Sequence, residues 1–371
     1  MIQDRVIIDD PLFGQLSYHK KLINNTDFDG KKFLCHLPFF YAEVRRHGGI
    51  NLCCPQWNPV EVGNLFEQSL EGIWSGDKAD TIRQTILDGS YRYCNWDTCP
   101  GIRNKTLQPH NDETRDRLVG QSRARTPSML HFVVDNSCNL ECPSCRLTKI
   151  GQLSPLERDR GYRAVLAALD SMFPAPHQEQ KTLSMDGSGE VFGSELYRHL
   201  FETHEVFVNP QNWPNLRFRF TTNGTMMTEK IQNRHRRMFD QMEDLEVSVD
   251  AGNRESYEQV RVGGRWDLLW QNLRYFHDTT LKNSKTNWSW NIIMQKNNYQ
   301  SLPELIAIAK TFEHRPPRIN ITDVLNWGTW SGEQYLEQAV HSPSHPEYQQ
   351  YLAIMNLPEV RDYEQHRQSK S

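Results

Sequence analysis

The stretch MLHFVVDNSCNLECPSC, residues 129–145, joins an apolar run to three closely spaced cysteines. MLHFVVDN (Met129–Asn136) is apolar and rich in β-branched residues, and it predicts a buried strand. Cys138, Cys142 and Cys145 follow it with the spacing C-x3-C-x2-C. We therefore expect these cysteines on a loop at the carboxyl end of a strand, where parallel α/β sheets place their functional sites.

Downstream of this stretch, strand-like and helix-like patterns alternate about six times. Further strands are expected at residues 181–187, 216–224, 245–251, 288–295 and 318–325. Helices are expected between them at residues 157–173, 195–204, 228–242, 266–278 and 301–314. This order predicts right-handed βαβ units and a parallel sheet, and by itself it leaves open a doubly wound sheet or a partial barrel.

The composition narrows the classes of protein that need considering. The 371 residues are 37% hydrophobic and 24% charged, with a formal net charge of −4. Acids and bases are interspersed, which predicts no nucleic-acid surface, and no apolar run approaches the roughly 20 residues that span a membrane. The N-terminus lacks a signal-peptide pattern, so we expect a cytoplasmic protein with reduced thiols. Its eight cysteines, all between Cys35 and Cys145, then indicate metal binding or catalysis rather than disulfides.

Three cysteines are too few for a closed zinc site but suit a metal centre with a vacancy. Three thiolates can hold three irons of a cubane [4Fe–4S] cluster and leave the fourth iron open. An open coordination position is typical of catalytic rather than structural metal sites. Taken alone, the three cysteines could also be zinc ligands with a distant fourth ligand, or a chance cluster in a core.

With its context, the motif resembles that of the radical SAM superfamily, through roughly the last two-thirds of the chain. In that family the motif follows the first strand of a partial (β/α)6 barrel, and S-adenosylmethionine (SAM) chelates the open iron. DGSGE (Asp186–Glu190) is similar to the family's Gly-Gly-Glu motif, which holds the amino group of SAM. The resemblance thus assigns Gly187, Ser188, Gly189 and Glu190 to SAM binding, with Ser188 replacing the usual middle glycine.

Later strand ends carry further similarities to the family. TTNGT (Thr221–Thr225) is similar to a Thr-Asn-Gly turn, and SVDA (Ser248–Ala251) to a Ser-x-Asp segment near the SAM ribose and carboxylate. An arginine follows where many relatives place one against that carboxylate, and LNWGTW offers a tryptophan as an adenine or substrate contact. The resemblance implies SAM contacts from Asn223, Ser248, Asp250, Arg261 and Trp327.

A second group of cysteines precedes this region, at Cys35, Cys53, Cys54, Cys94 and Cys99. The segment resembles the auxiliary-cluster modules called SPASM and, in a shorter form, twitch. These have a first cysteine, a glycine-led strand ending in a cysteine, a helix ending in Ile-Trp and a closing cysteine pair. The resemblance implies that four of the cysteines fully ligate one auxiliary [4Fe–4S] cluster, although a zinc site remains an alternative.

The choice between the adjacent cysteines at 53 and 54 is open from the sequence. Cys53 is preferred because it ends the strand-like GINLC, where side-chain direction alternates. The predicted ligands of the auxiliary cluster are therefore Cys35, Cys53, Cys94 and Cys99. In most relatives this module follows the barrel, whereas here it precedes it.

The sequence therefore predicts an α/β fold with a partial (β/α)6 barrel of the radical SAM type, preceded by a small cysteine-rich domain. The expected divisions are an auxiliary domain at 1–105, a linker at 106–127, the barrel at 128–330 and a helical tail at 331–371.

The function that the resemblance implies is reductive cleavage of SAM to a 5′-deoxyadenosyl radical, which abstracts a hydrogen atom from a substrate. That substrate is a peptide, a protein or a small molecule, the auxiliary cluster serves electron transfer, and the reductant is a flavodoxin or ferredoxin. Reaction outcome and oligomeric state are left open. A non-catalytic, zinc-binding interaction protein is the alternative.

Overall fold

A computed structural model describes residues 5–19, 28–96, 98–185 and 189–368. The chain divides into two compact units, which are each described separately. The first unit comprises Met1–Asp135, Ser154–Met185 and Asn212–Leu216, and the second comprises Asn136–Leu153, Asp186–Gln211 and Arg217–Ser371. The predicted domain bounds differ from this division and stay a prediction.

The first unit is built around five hydrogen-bonded strands. Its strands are β1 (Arg5–Asp10), β2 (Gly14–His19), β3 (Phe33–Leu34), β4 (Tyr41–Arg45), β5 (Gly49–Asn51), β6 (Glu61–Asn64), β7 (Gln108–Pro109), β8 (Met129–Val133) and β9 (Lys181–Met185). Strands β9, β8 and β4 are parallel neighbours, and β5 and β6 continue from β4 in antiparallel fashion. Strands β1 and β2 form a hairpin, and β3 pairs with β7.

The helices of the first unit correct one prediction. They are α1 (Leu70–Trp74), α2 (Asp77–Leu87), α3 (Pro100–Arg103), α4 (Asp112–Ser122) and α5 (Pro155–Met172). The sequence from Ser69 to Leu87 predicts one helix, and this prediction is wrong, because the chain is extended at Gly76, which caps the start of α2 instead of continuing α1. Glycine is a poor residue for a helix interior, which explains the break. Helix α4 lies within the segment predicted as a linker.

The second unit contains the later strands and helices in the predicted alternation. Strands β10 (Leu216–Thr222), β11 (Met242–Ser248), β12 (Asn287–Met294) and β13 (Arg318–Asp323) are all parallel, in that spatial order. The helices are α6 (Glu195–Thr203), α7 (Glu205–Val208), α8 (Glu229–Arg234), α9 (Arg236–Asp240), α10 (Arg254–Val260), α11 (Trp266–Thr279), α12 (Leu302–Lys310), α13 (Gly332–Gln338), α14 (Tyr348–Met355) and α15 (Pro358–Gln368). The parallel sheet predicted from the pattern is confirmed.

The core of the second unit lies on one face of this sheet. Side chains alternate along each strand, so one face collects the apolar residues, all of them buried: Phe218, Phe220, Leu245, Val247, Trp290 and Ile292. Helix α11 covers this face, with ring centroids of Trp270 and Trp290 at 5.2 Å. The other face is polar and half-buried. Among the described residues, no helix has the length and apolar character needed to cross a membrane.

Candidate functional site

The three-cysteine loop (residues 138–145) belongs to the second unit and is held by backbone hydrogen bonds. Cys138 N donates to Ile150 O at 2.7 Å, and Glu141 N donates to Val262 O at 2.9 Å. The sulfur positions differ in exposure, since Cys142 is buried, Cys138 is half-buried and Cys145 is exposed. The exposure of the three thiols to solvent thus increases from Cys142 to Cys138 to Cys145.

Each sulfur of this loop accepts a hydrogen bond from nitrogen. The contacts are Leu140 N and Asn223 Nδ2 to Cys138 Sγ (3.4 and 3.8 Å), Arg261 Nη1 to Cys142 Sγ (3.7 Å) and Arg146 Nη2 to Cys145 Sγ (3.7 Å). Donors of this kind stabilise negative charge on thiolate ligands and tune iron–sulfur clusters. The surroundings of the sulfurs therefore suit thiolates that act as ligands of a metal cluster.

Burial sets the protonation of the two inner thiols. It raises the pKa of Cys138 and Cys142, and for Cys142 the nearby Arg261 guanidinium partly opposes this increase. The metal-free thiols therefore hold their protons at neutral pH. A bound metal cation would replace those protons and supply the positive charge that the buried thiolates need.

Glu190, predicted to hold the amino group of SAM, is almost fully buried, with 1% exposure. Its carboxylate accepts hydrogen bonds from Thr222 Oγ1 at 2.6 Å, Asn223 N at 2.7 Å and Phe192 N at 3.2 Å. Burial raises the pKa of Glu190, while these three donors act in the opposite direction. The carboxylate is thus held in one orientation at the carboxyl end of β10.

A network of amides joins the end of β10 to the three-cysteine loop. Asn223 Nδ2 donates to Asn139 Oδ1 at 2.9 Å, and Asn139 Nδ2 donates to Thr225 Oγ1 at 2.9 Å. Gly224 lies between them with φ +75°, and a Cβ there would come within 2.6 Å of Leu269 Cδ1. Glycine therefore permits the turn that brings Asn223 toward the cysteines.

Asp250 and Arg261 form a buried ion pair beside Cys142. The Arg261 Nε to Asp250 Oδ2 distance is 2.7 Å, and the contact is ionic rather than a well-aligned hydrogen bond. Burial disfavours the charge of Arg261, but Asp250 and Cys142 more than offset this and raise its pKa. The second oxygen of Asp250 accepts from Ile293 N at 2.7 Å. Asp250 thus positions Arg261. The backbone of Asp250 itself has a positive φ of 63°.

The remaining predicted SAM contacts are Gly187, Ser188, Gly189, Ser248 and Trp327. Gly187 and Ser188 lie outside the described residues, and Gly189 follows them directly. Ser248 ends β11 and is half-buried. Trp327 follows β13 and is 59% exposed. The roles assigned to all of these residues stay predictions.

Asn139, which completes the amide network, was not among the residues predicted from the sequence, and Thr225 was predicted only as part of the TTNGT turn. Asn139 stands between two cysteines of the loop, where periodicity carries no signal. A polar amide next to a predicted ligand, facing a second amide in Asn223, was the only available indication. Such a pair is recognisable only once the two loops are placed together.

The auxiliary cysteines lie in the first unit and share one neighbourhood. Burial raises the pKa of all four thiols, to about 12 for Cys35. The pKa of Cys53 is raised first by burial and then by the nearby Cys35, Cys94 and Cys99. Cys35, Cys94 and Cys99 also pack against the same apolar cluster, which includes Tyr91. One buried and three half-buried thiols that lie close together form a donor set that fits an iron–sulfur cluster.

Cys54 has different surroundings from its neighbour. After burial, which raises the pKa of Cys54, its main charged neighbours are Glu43 and Arg45. Cys53, by contrast, is influenced by the three other auxiliary cysteines. This difference supports the preference for Cys53 as the ligand.

Across the described ranges, no group of three or more His, Cys, Asp or Glu side chains is arranged to hold a single metal ion. The cysteine ligands of a cubane cluster need a different arrangement, because each cysteine binds a different iron atom. Its ligands therefore stand farther apart than four thiolates on one ion.

Residues 35–100 match the family model of SPASM, an iron–sulfur cluster-binding domain. This confirms the module predicted there, and the match covers a minor part of the chain. Similar solved structures include Streptococcus suis SuiB, at 14% identity and TM-score 0.37, covering 87% of this chain and 62% of that one. Another is anSMEcpe with bound AdoMet, at 14% identity and TM-score 0.32, covering 53% and 50%.

These similarities to solved structures are too low to establish a common fold. The chain spans less than two-thirds of the length of either protein. No curated protein matches the chain.

Proposed function

We propose that this chain, with its SPASM-matching segment at residues 35–100, is a radical SAM enzyme. A catalytic [4Fe–4S] cluster would bind Cys138, Cys142 and Cys145, with SAM on its fourth iron. An auxiliary [4Fe–4S] cluster would bind a second set: Cys35, Cys53, Cys94 and Cys99. The architecture proposed is a partial (β/α)6 barrel with the auxiliary module ahead of it in the chain.

The observation that carries the proposal is the contact between the three-cysteine loop and the polar ends of later strands. Asn223, after β10, lies 3.8 Å from Cys138 Sγ and also donates its backbone N–H to Glu190. Arg261 lies 3.7 Å from Cys142 Sγ. A chance group of core cysteines would give no reason for a buried carboxylate and a buried guanidinium to meet at the same loop.

The residues present fit the catalytic cluster. Three thiols, each accepting a hydrogen bond from an N–H donor, make a ligand set for three irons. When bound, the cluster would supply the electron that cleaves SAM to a 5′-deoxyadenosyl radical, which takes a hydrogen atom from the substrate.

The residues also fit SAM. The carboxylate of Glu190 has four acceptor sites and uses three of them internally, so one remains for an ammonium group. The guanidinium of Arg261 uses Nε for Asp250 and Nη1 for Cys142. Its Nη2 donors are left for the SAM carboxylate, a pairing that guanidinium favours.

The auxiliary cluster would accept an electron from the substrate radical or support the fold around it. Four thiols leave no open iron, which suits these roles rather than SAM binding. The proposal further implies a reducing, cytoplasmic setting and an external reductant such as flavodoxin or ferredoxin. The substrate would be a peptide, a protein or a small molecule.

Anaerobic reconstitution followed by iron counting and product analysis tests the proposal. We expect about eight irons per chain, falling to about four in a Cys138/Cys142/Cys145→Ala triple variant. The wild-type protein should form 5′-deoxyadenosine from SAM under reductant, and the triple variant should not. A colourless zinc protein without deoxyadenosine formation would instead indicate the non-catalytic interaction protein.

A further inference from the structure

The polar face of the second unit's sheet is unusual for parallel strands. Parallel sheets generally bury both faces and have apolar residues on each. Here the face opposite the core carries mainly half-buried polar residues, such as Arg219, Asp244, Glu246, Asn291 and Asn320, with Ser289 buried beside them. Half-buried polar side chains keep contact with solvent, so this face does not form a second apolar core.

Three side chains form a hydrogen-bonded ladder across this face, from β11 to β13. Asn291 Nδ2 donates to Glu246 Oε2 at 2.8 Å, and Asn320 Nδ2 donates to Asn291 Oδ1 at 2.9 Å. A carboxylate only accepts hydrogen bonds, so Glu246 fixes the direction of both amides. The two ends of this acceptor ladder (Glu246, Asn291, Asn320) are therefore oxygen atoms: Oε1 of Glu246 and Oδ1 of Asn320.

The acceptor ladder also carries an uncompensated negative charge. Asp244, the other carboxylate in the middle of this face, is paired with Arg219 at 2.9 Å. In the part of the chain that the structure describes, no cationic side chain pairs with Glu246. Arg217 lies farther from the carboxyl end of the sheet, two residues before Arg219 on β10. The ladder thus suits a ligand that brings a positive charge and hydrogen-bond donors.

The ladder lies next to the residues proposed for SAM. Glu246 and Ser248 share one face of β11, about 7 Å apart along the strand. Asp250 follows at the end of that strand and holds Arg261. Glu246 also stands opposite Thr221, whose strand leads into Asn223. A ligand on Glu246 would therefore lie beneath the carboxyl-end rim that carries these residues.

We propose that the acceptor ladder is the substrate anchor, and that the substrate places a protonated amine against Glu246. Glu246 Oε1 would accept from the ammonium, and Asn320 Oδ1 would accept from a second donor of the same molecule. This assignment rests on the proposed radical SAM function for the reaction, but its binding step can be measured without turnover.

Matched probes test the proposal on the anaerobically reconstituted protein loaded with SAM and kept without reductant. One pair is a doubly blocked tripeptide with central lysine against its norleucine counterpart, and the other is glucosamine against glucose. Calorimetry should show that at least one amine probe binds about tenfold tighter than its neutral partner. Glu246→Gln should abolish this preference, and Glu255→Gln, on an exposed helix of the same unit, should keep it.

Two results would overturn the anchor: no amine preference in either pair, or a preference that survives in Glu246→Gln. SAM binding and thermal unfolding of Glu246→Gln should stay close to wild type, which separates lost recognition from lost folding. Deoxyadenosine formation is measured separately, with reductant and without probe. Its absence counts against the proposed function, whereas normal formation without amine preference counts only against the anchor.

Discussion

Replacing Asp250 with asparagine isolates the charge of the buried ion pair beside Cys142. Asparagine keeps an oxygen for the Ile293 N–H and tolerates the positive φ of 63° at this position. The substitution therefore adds little backbone strain and removes no backbone partner. What it removes is the negative charge 2.7 Å from Arg261 Nε.

The expected cost follows from the burial of both partners. The side chains of Arg261 and Asp250 are 13% and 3% exposed, so water cannot solvate the guanidinium that is left behind. Removing one partner of such a pair typically costs about 3–5 kcal/mol. Arg261 would keep its contact with Cys142, but a neutral thiol in the metal-free protein compensates only weakly for the lost carboxylate. We therefore expect the free energy of unfolding to decrease by about 3 kcal/mol.

Urea denaturation of the metal-free, reduced protein measures this loss, with tryptophan fluorescence as the signal. Trp266, Trp270, Trp288 and Trp290 all belong to the second unit and report on it. Asp267→Asn is the matched control, because Asp267 forms a highly exposed pair with Arg254 and should change stability too little to resolve.

If Asp250→Asn lowered the free energy of unfolding by less than about 1 kcal/mol, as an exposed ion pair would, the pair would not be energetically buried. It would mean that water or another group reaches Arg261 and that the pair does not hold the guanidinium in place. A large decrease in both variants would point instead to a general sensitivity of this unit.

Four further predictions concern the proposed metal and SAM ligands. Cys53→Ser should lower the iron content of the reconstituted protein by about four, whereas Cys54→Ser should leave it unchanged, as iron analysis would show. Glu190→Gln should weaken SAM binding by about tenfold in equilibrium dialysis, because a neutral amide replaces a charged acceptor, while iron content is retained. Burial raises the pKa of Cys138 and Cys142, so iron uptake, which displaces their protons, should increase from about pH 7 to about pH 9. The same raised pKa stabilises the metal-free fold below the unfolded cysteine pKa of about 8.5, and urea denaturation should show this contribution falling as pH rises above it. Equal iron loss in both cysteine variants, unchanged SAM affinity, or pH-independent uptake would each contradict the corresponding assignment.

The sequence predicted the elements whose patterns are set by local burial. LRFRFTT alternates strictly, and β10 buries Phe218 and Phe220 while Arg219 and Thr221 occupy the other face. The pattern was readable because one side of the strand is buried and the other is half-buried. The cysteine spacing also predicted a three-thiol loop, because the three cysteines lie close together in the chain.

Features that depend on distant parts of the chain could not be predicted in this way. The amide pair of Asn139 and Asn223 joins loops 84 positions apart, and neither loop has a periodic pattern. Strand β4 was missed because its sequence, YAEVR, includes two charged residues although four of its five residues are buried, and its pairing with β8 spans 88 positions. The break at Gly76 was missed because buried apolar residues recur at helical spacing on both sides of it.

The pairing of β4 with β8 has a consequence for how the chain can be divided. Tyr41 to Arg45, inside the SPASM-matching segment, align in parallel with Met129 to Val133. A shortened protein that lacked residues 1–105 would leave β8 with an exposed edge, which invites aggregation. The SPASM-matching segment thus also supplies the strand that pairs with β8, and we expect it to fold together with the strand that precedes the three-cysteine loop.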